Sequence, residues 1–293
     1  MNQTEKRLFL IRTLLDEQPR YRGMEIPADE AEQRRMLRSL FNIRMPGGIS
    51  DEFLSVQDEY LREETRQKGV TALAALTPAE PGIYLWQGDI TTLACDAIVN
   101  AANSGMTGCY QPCHSCIDNC IHTYAGVQLR NACAGIMEKQ GHEEPTGRAK
   151  ITPAYNLPCR YVLHTVGPIV RGALTKRHED LLASCYCACM ELAERNGVKS
   201  IAFCCISTGV FGFPQRRAAE IAVQTVRDCR AKTHSDIEVI FNVFRDEDYN
   251  IYRELLGYRR QAEKGAGGSG RRCHRRGRRP VHVGGLRLQR RAV

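Results

Sequence analysis

No apolar run in the 293 residues approaches membrane-spanning length, which excludes a transmembrane helix. The opening Met1-Asn-Gln-Thr-Glu-Lys-Arg shows no apolar stretch of the kind a secretory leader carries. The expected location is therefore the cytoplasm, with no membrane partner. No internal repeat is evident, which argues against a solenoid or array. Fourteen cysteines would mark a disulfide scaffold in a short secreted chain, but this one is too long and lacks the leader. Cys185, Cys187, Cys189, Cys204 and Cys205 sit in apolar stretches and are expected as small core residues.

The net charge of +8 is not spread along the chain. Gln261 to Val293 carries nine Arg and one Lys against one Glu, and everything before it balances to −1. The near-neutral body gives no sign of a polyanionic ligand. The tail has the composition of a disordered basic arm, read either as a solvated extension or as a nucleic-acid contact. Nucleic acid is not otherwise expected as a partner.

Residues 4 to 68 read as helices. Leu8, Leu10, Ile11, Leu14 and Leu15 form one apolar stripe, and Ala31, Met36, Leu37, Leu40 and Phe41 a second. Ser50 opens a third helix with two acids in its first turn. Beyond Thr77-Pro78 the texture alternates. Strands are expected at 83–86, 97–102, 161–166, 200–206 and 238–244, and helices at 117–140, 178–196, 216–232 and 246–261. Three parts follow: a helical extension over 1–77, an α/β domain over 78–260 and the basic tail over 261–293. Alternating strands and helices argue a sandwich with a largely parallel sheet, whose ligands lie beyond the carboxyl ends of the strands.

Between Gly108 and His122 lie four cysteines, two histidines and an acid. Cys109, His114 and Cys116 form a C-x4-H-x-C constellation whose soft thiolates and imidazole suit one zinc ion per chain. No distant second pair closes the set, so one coordination position stays open, as catalytic zinc requires. Cys113 or Cys120 filling that position would make the metal a structural staple. Three strand ends also carry polar or glycine-bearing turns: Gln87-Gly-Asp-Ile-Thr, Asn100-Ala-Ala-Asn-Ser-Gly and Ser207-Thr-Gly-Val-Phe-Gly-Phe-Pro. The last offers converging backbone N–H groups before a helix, an anion cradle or a mere turn. It has neither the lysine of a P-loop nor G-x-G-x-x-G spacing.

Taken in order, Gly88-Asp-Ile-Thr, Val99-Asn-Ala-Ala-Asn-Ser, Thr146-Gly147, His164-Thr-Val-Gly-Pro and Ser207-Thr-Gly-Val-Phe-Gly resemble the macrodomain, an ADP-ribose-binding module. Cys116-Ile-Asp-Asn-Cys-Ile-His resembles the Gly-Val-Asp-Gly-Ala-Ile-His segment of its hydrolytic members. Cys109 to His114, in place of the usual glycine run, together with the leading helices, resembles the zinc-containing microbial protein-ADP-ribose hydrolases. The resemblance implies a macrodomain-like three-layer α/β/α sandwich with a mixed, mostly parallel sheet.

It also implies roles. Asp89 and the Ile90 N–H would bind adenine, with Phe244 stacking on it. Ser207, Thr208, Gly209, Val210, Phe211 and Gly212 would grip the diphosphate. Asn103 would orient the distal ribose, and Ile117 and Asp118 would line the same end. Zinc on Cys109, His114 and Cys116 would sit against that ribose, and Asp118 would orient or deprotonate water, unless it merely caps its helix. The activity so implied is removal of ADP-ribose from mono-ADP-ribosylated protein side chains, acidic ones being the expected attachment. A reader module that binds ADP-ribose around a structural zinc is the alternative, although such a module has no use for a vacant metal position.

Overall fold

The computed structural model describes residues 1–257, and three amphipathic helices lead the chain. They are α1 (Gln3–Asp16), α2 (Glu30–Ile43) and α3 (Asp51–Lys68). Asn2, Asp29 and Ser50 start them, each side chain accepting an N–H from the third residue of its helix. Leu10, Ile11, Leu14 and Leu15 of α1 are buried, as are Leu37, Leu40 and Phe41 of α2 and Phe53, Tyr60 and Leu61 of α3. Leu8, Ala31 and Met36 depart from expectation: Ala31 is exposed, and Leu8 and Met36 are half-buried. Polar residues fill that end of the interface instead. Arg7 of α1 is 1% exposed, donating to Gln33 Oε1 at 3.0 Å and to Glu30 Oε1 at 3.2 Å.

Beyond the helices, β1 (Thr71–Ala72) pairs with β4 (Leu93–Ala94) as a small parallel ladder. The main sheet has seven strands: β2 (Pro78–Glu80), β3 (Ile83–Gln87), β5 (Ala97–Ala102), β6 (Ala149–Pro153), β7 (Tyr161–Val166), β8 (Ser200–Phe203) and β9 (Glu238–Val243). Their spatial order is β2-β3-β9-β8-β5-β7-β6. The inner strands run parallel, and β2 and β6 are antiparallel edges. β5, β7, β8 and β9 are almost wholly buried, which is why they read as continuous apolar runs. Helices α4 (Ile117–Ala125) and α5 (Val127–Gln140) pack together against β5 and β6. Helices α6 (Lys176–Arg195), α7 (Gln215–Thr233) and α8 (Asp246–Leu255) form a second group. The result is the expected three-layer α/β/α sandwich with a mixed, mostly parallel sheet. The leading helices belong to the same compact unit, with α2 and α3 lying on α4.

Several boundaries differ from expectation for identifiable reasons. The short edge strands β2 and β6 carry weak alternation and end or begin in proline, so periodicity misses them. The strand at 200–206 stops at Phe203, where the chain peels away toward a positive φ at Ser207. The expected helix over 117–140 is two helices, broken at Gly126, whose φ is +95°. The closing helix, expected to run to Gln261, ends at Leu255 before a turn through Gly257 with φ of +62°, and residues 258–261 and the basic tail over 261–293 lie outside the described residues. Of the five cysteines expected in the core, Cys185, Cys189 and Cys204 are buried, while Cys187 and Cys205 are half-buried. Among the described residues no helix is long and apolar enough to cross a membrane.

Gly126 sits in a backbone region that side chains avoid, and a Cβ there would lie 2.7 Å from both Gln57 Nε2 and Gln128 Oε1. Gly126→Ala is therefore expected to lower unfolding stability by about 2 kcal/mol. Urea denaturation checks this; an unshifted midpoint would show that the α4–α5 break tolerates a side chain.

Candidate active site and metal centre

Parallel strands bring their carboxyl ends to one edge of the sheet, and every strand-end motif meets there. At the end of β3, Gly88 N donates to Val243 O at 3.0 Å and Asn242 Nδ2 donates back to Gly88 O at 3.0 Å. This splice with β9 sets the ends of the two strands side by side, with Asp89 and Phe244 each one residue beyond it. Asp89 Oδ1 accepts Thr91 N at 3.0 Å and Thr91 Oγ1 at 2.6 Å, while Oδ2 meets Lys68 Nζ at 3.1 Å. Burial opposes ionisation of this carboxyl, but the Thr91 bonds and the Lys68 charge outweigh it and hold the pKa below the usual range. Ile90 is buried at the start of a single 3-10 turn. Phe244 is 76% exposed, so it is no core residue, and it follows directly on the residue whose carbonyl Gly88 N meets.

At the end of β8 the chain turns through Ser207, a non-glycine residue with φ of +66°. Such strain persists only where the surroundings enforce it. Phe213 N donates to Ser207 O at 3.0 Å, Gly212 N to Gly209 O at 3.1 Å, and Val170 N to Phe211 O at 2.8 Å. These bonds shape the loop without using the N–H groups of Thr208 to Phe211. The Ser207 hydroxyl is buried with no hydrogen-bond partner among the described residues, and Val210 is 79% exposed. A buried donor without a partner beside backbone N–H groups left unused among the described residues is an arrangement able to receive a polar group.

Beyond β5 lies a buried carboxylate bonded at both oxygens. Asp118, in the first turn of α4, is 5% exposed. Its Oδ1 accepts Asn100 Nδ2 at 2.8 Å, and its Oδ2 accepts Asn103 Nδ2 at 3.2 Å. Asn103 Nδ2 also donates to Gly108 O at 3.1 Å, while its Oδ1 accepts Gly105 N at 3.0 Å. Asp118 does not cap its helix. Cys116 does, its sulfur accepting Asn119 N at 3.4 Å. Burial pushes the Asp118 carboxyl up to about 7 against the Asn100 bond, and the neighbouring Cys109 sulfur acts in the same direction as burial.

Two residues before Asp118, Cys116 joins Cys109 and His114 in a half-buried trio whose ligand atoms all lie within 4.8 Å of one another. Cys109 Sγ stands 3.7 Å from His114 Nδ1. A hydrogen bond from the Cys116 thiol holds Cys109 down to about 5 against burial, and Cys116 is pushed up in return. Cys113 and Cys120 stand apart from this trio. Cys113 Sγ meets Ser39 Oγ at 3.3 Å, and Cys120 Sγ takes an Arg38 N–H at 3.5 Å. Ile117 is half-buried beside Asp118.

Asn100 and His164 receive no individual role from sequence, yet the sheet pairs them. The β5–β7 register sets Asn100 opposite His164, and Asn100 Nδ2 lies 3.2 Å from His164 Nδ1. His164 Nε2 lies 3.0 Å from Thr152 Oγ1 and 3.7 Å from Cys133 Sγ. The signal was available in the two strand motifs, but only their register turns it into a contact. Lys68 and Arg38, both from the leading helices, left no such trace: each looks like one more charge on an amphipathic helix.

A sandwich that gathers polar strand-end turns, a buried carboxylate and a Cys-His-Cys trio beyond the carboxyl ends of its strands defines a class, and comparison with known proteins identifies it. Residues 99–222 match the Macro domain family model. A protein-ADP-ribose hydrolase of Treponema medium is 63% identical over 260 residues, spanning 87% of this chain and all of that protein. A protein-ADP-ribose hydrolase of Staphylococcus aureus (strain MSSA476) is 50% identical over 240 residues, covering 81% of this chain and 89% of that one. Among solved structures, the Trypanosoma brucei macrodomain in complex with ADP-ribose is 30% identical. It aligns with a TM-score of 0.59 over 75% of this chain and 95% of its own. The chain belongs to the macrodomain family.

The buried imidazoles around Asp118 make stability depend on pH. Burial holds His164 at about 3 and His122 well below its usual value. In the unfolded chain both titrate near about 6.5, so their contribution is complete above that pH. For His164 it is lost as pH falls from about 6.5 toward about 3, by up to about 1.4 kcal/mol per pH unit, because only the unfolded chain takes up the proton; His122 acts in the same direction, and the raised Asp118 carboxyl, protonated first in the folded chain, offsets part of the loss. The urea midpoint should drop between about pH 7 and about pH 5, and His164→Gln should flatten that slope. A midpoint indifferent to pH in this window would contradict the assignment.

Proposed function

We propose that this chain is a zinc-dependent hydrolase that removes ADP-ribose from mono-ADP-ribosylated protein side chains, acidic side chains being the points of attachment. The observation that carries this reading is Asp118: buried, gripped by Asn100 and Asn103, and two residues from a ligand of the Cys-His-Cys trio. The two relatives that carry the name protein-ADP-ribose hydrolase, and the neighbour solved with ADP-ribose, support the choice of substrate.

Asp89 would accept from the adenine amine while the Ile90 N–H meets a ring nitrogen and Phe244 stacks on the base. Ser207, Thr208, Gly209, Val210, Phe211 and Gly212 would hold the diphosphate through backbone N–H groups. Asn103 would then meet the hydroxyls of the distal ribose, and Ile117 would line that end. Docking in this order places the anomeric carbon against Asp118 by proximity. Water adds to that carbon as its bond to the side-chain oxygen breaks. The side chain leaves as a carboxylate, and Asp118 takes the proton released by the water.

The donor set fits zinc: two sulfurs and an imidazole nitrogen converge, and Cys113 and Cys120 are bonded elsewhere, leaving a position outside the protein ligands. Zinc bound there would supply Lewis-acid stabilisation to oxygen at the distal ribose.

Asp118→Asn is expected to slow release of ADP-ribose from a modified protein by about 10²- to 10⁴-fold, with ADP-ribose affinity within a few-fold of the parent. Full release by this variant would remove Asp118 from the chemistry. Separately, a chelator should abolish release and added Zn²⁺ restore it, with Cys109→Ala, His114→Ala and Cys116→Ala failing to recover. Undiminished label on the substrate with zinc-loaded parent protein would leave only a reader.

A further inference from the structure

The leading helices do more than cover the sandwich. The segment from Cys109 to Cys116 has no regular structure of its own, so something else must hold its three donors in place. Helix α2 lies directly against it. Arg38 Nη2 donates to the carbonyl of His114 at 2.8 Å and to Asn119 Oδ1 at 2.9 Å, and Arg38 Nε reaches the same oxygen at 3.3 Å. Asn119 is fully buried and passes the constraint on, donating from Nδ2 to Gln111 O at 2.9 Å and to Cys109 O at 3.4 Å. Its N–H is the one that the Cys116 sulfur accepts. The Arg38–Asn119 pair thus touches the main chain or sulfur of all three donors.

One turn further along α2, Asn42 Oδ1 accepts Cys113 N at 2.9 Å, and Asn42 Nδ2 donates to Thr123 Oγ1 at 2.9 Å. That bond holds Cys113 in its left-handed conformation, φ +53°. Arg130 of α5 closes the clamp from the other side. It donates to the carbonyls of Phe41, Asn42 and Arg44 at the end of α2 and to Thr107 O at 2.8 Å, with its guanidinium 4.3 Å from the centre of the Tyr110 ring.

We infer that α2 is part of the metal centre, with Arg38 as the positioning residue that fixes the Cys109–His114–Cys116 donor set. This rests on the zinc reading above. Donors fixed before the ion arrives pay little ordering cost, and outer hydrogen bonds of this kind commonly change metal affinity by about tenfold to a hundredfold. A bidentate guanidinium cannot be replaced by an ammonium at such a site, because a lysine nitrogen has neither the planar fork nor the reach to serve both acceptors.

The test uses the full chain, purified with zinc, as parent, Arg38→Ala and Arg38→Lys. Zinc release to a chromogenic chelator should be about tenfold or more faster in Arg38→Ala, with Arg38→Lys in between. Substitution with Co²⁺ gives a second readout: the sulfur-to-cobalt and d–d absorption bands should shift or weaken in Arg38→Ala. Affinity for ADP, which lacks the distal ribose, should stay within about threefold of the parent in both variants and so report an intact fold and cleft. Should Arg38→Ala fail to fold, Arg38→Lys carries the same comparison. Unchanged zinc release and cobalt spectrum, even with a lowered melting temperature, would reduce Arg38 to a packing residue and overturn the inference alone. A parent chain that takes up neither metal overturns it together with the zinc-dependent reading.

Discussion

A carboxylate buried without a matching cation is costly, and this fold keeps one by giving each of its oxygens an amide donor. Asp118 accepts from Asn100 on one oxygen and from Asn103 on the other, and both donors come from β5 and its immediate extension. Much else follows from that demand. The strand must run to the carboxyl edge, α4 must begin where it does, and the segment between them must return within a few ångströms of its start. The Asn103 bond to Gly108 O closes that return and delivers Cys109 beside the carboxylate.

The architecture was readable because parallel strands, buried on both faces, leave long apolar runs punctuated by polar turns. Those turns also carried the site, since the ends of such strands are where ligands gather. What stayed hidden depended on contacts across the chain. His164 sits inside an apolar strand like any other core position until register places it opposite Asn100. The edge strands escaped notice because they are short, bounded by proline and half-buried along most of their length, so neither face stands out. The break at Gly126 looked like an ordinary glycine within a helical pattern, and only its backbone angle and the crowding by Gln57 and Gln128 show why it is there.

The leading helices illustrate the same limit from another side. Their apolar stripes predicted that they would pack, but not on what. Arg38 and Lys68 reach in opposite directions from them, one to the Cys-His-Cys segment and the other to Asp89, where its ammonium also lies 3.3 Å from the centre of the Tyr124 ring. Two charges from one extension thus touch two separate strand-end segments of the sandwich.

The pairing of Asn100 with His164 also has a bearing on how the molecule reaches its native state. Side chains alternate across a sheet, so β5 zipped one residue out of step with β7 would send Asn100 to the opposite layer and set an aliphatic neighbour behind the carboxylate. Asp118 would then have to be submerged with one oxygen bare, and the misaligned sheet would carry that penalty in full. Burial of the acid and alignment of the strands therefore hang on one asparagine, and a chain able to house its acid has already proofread its strand pairing.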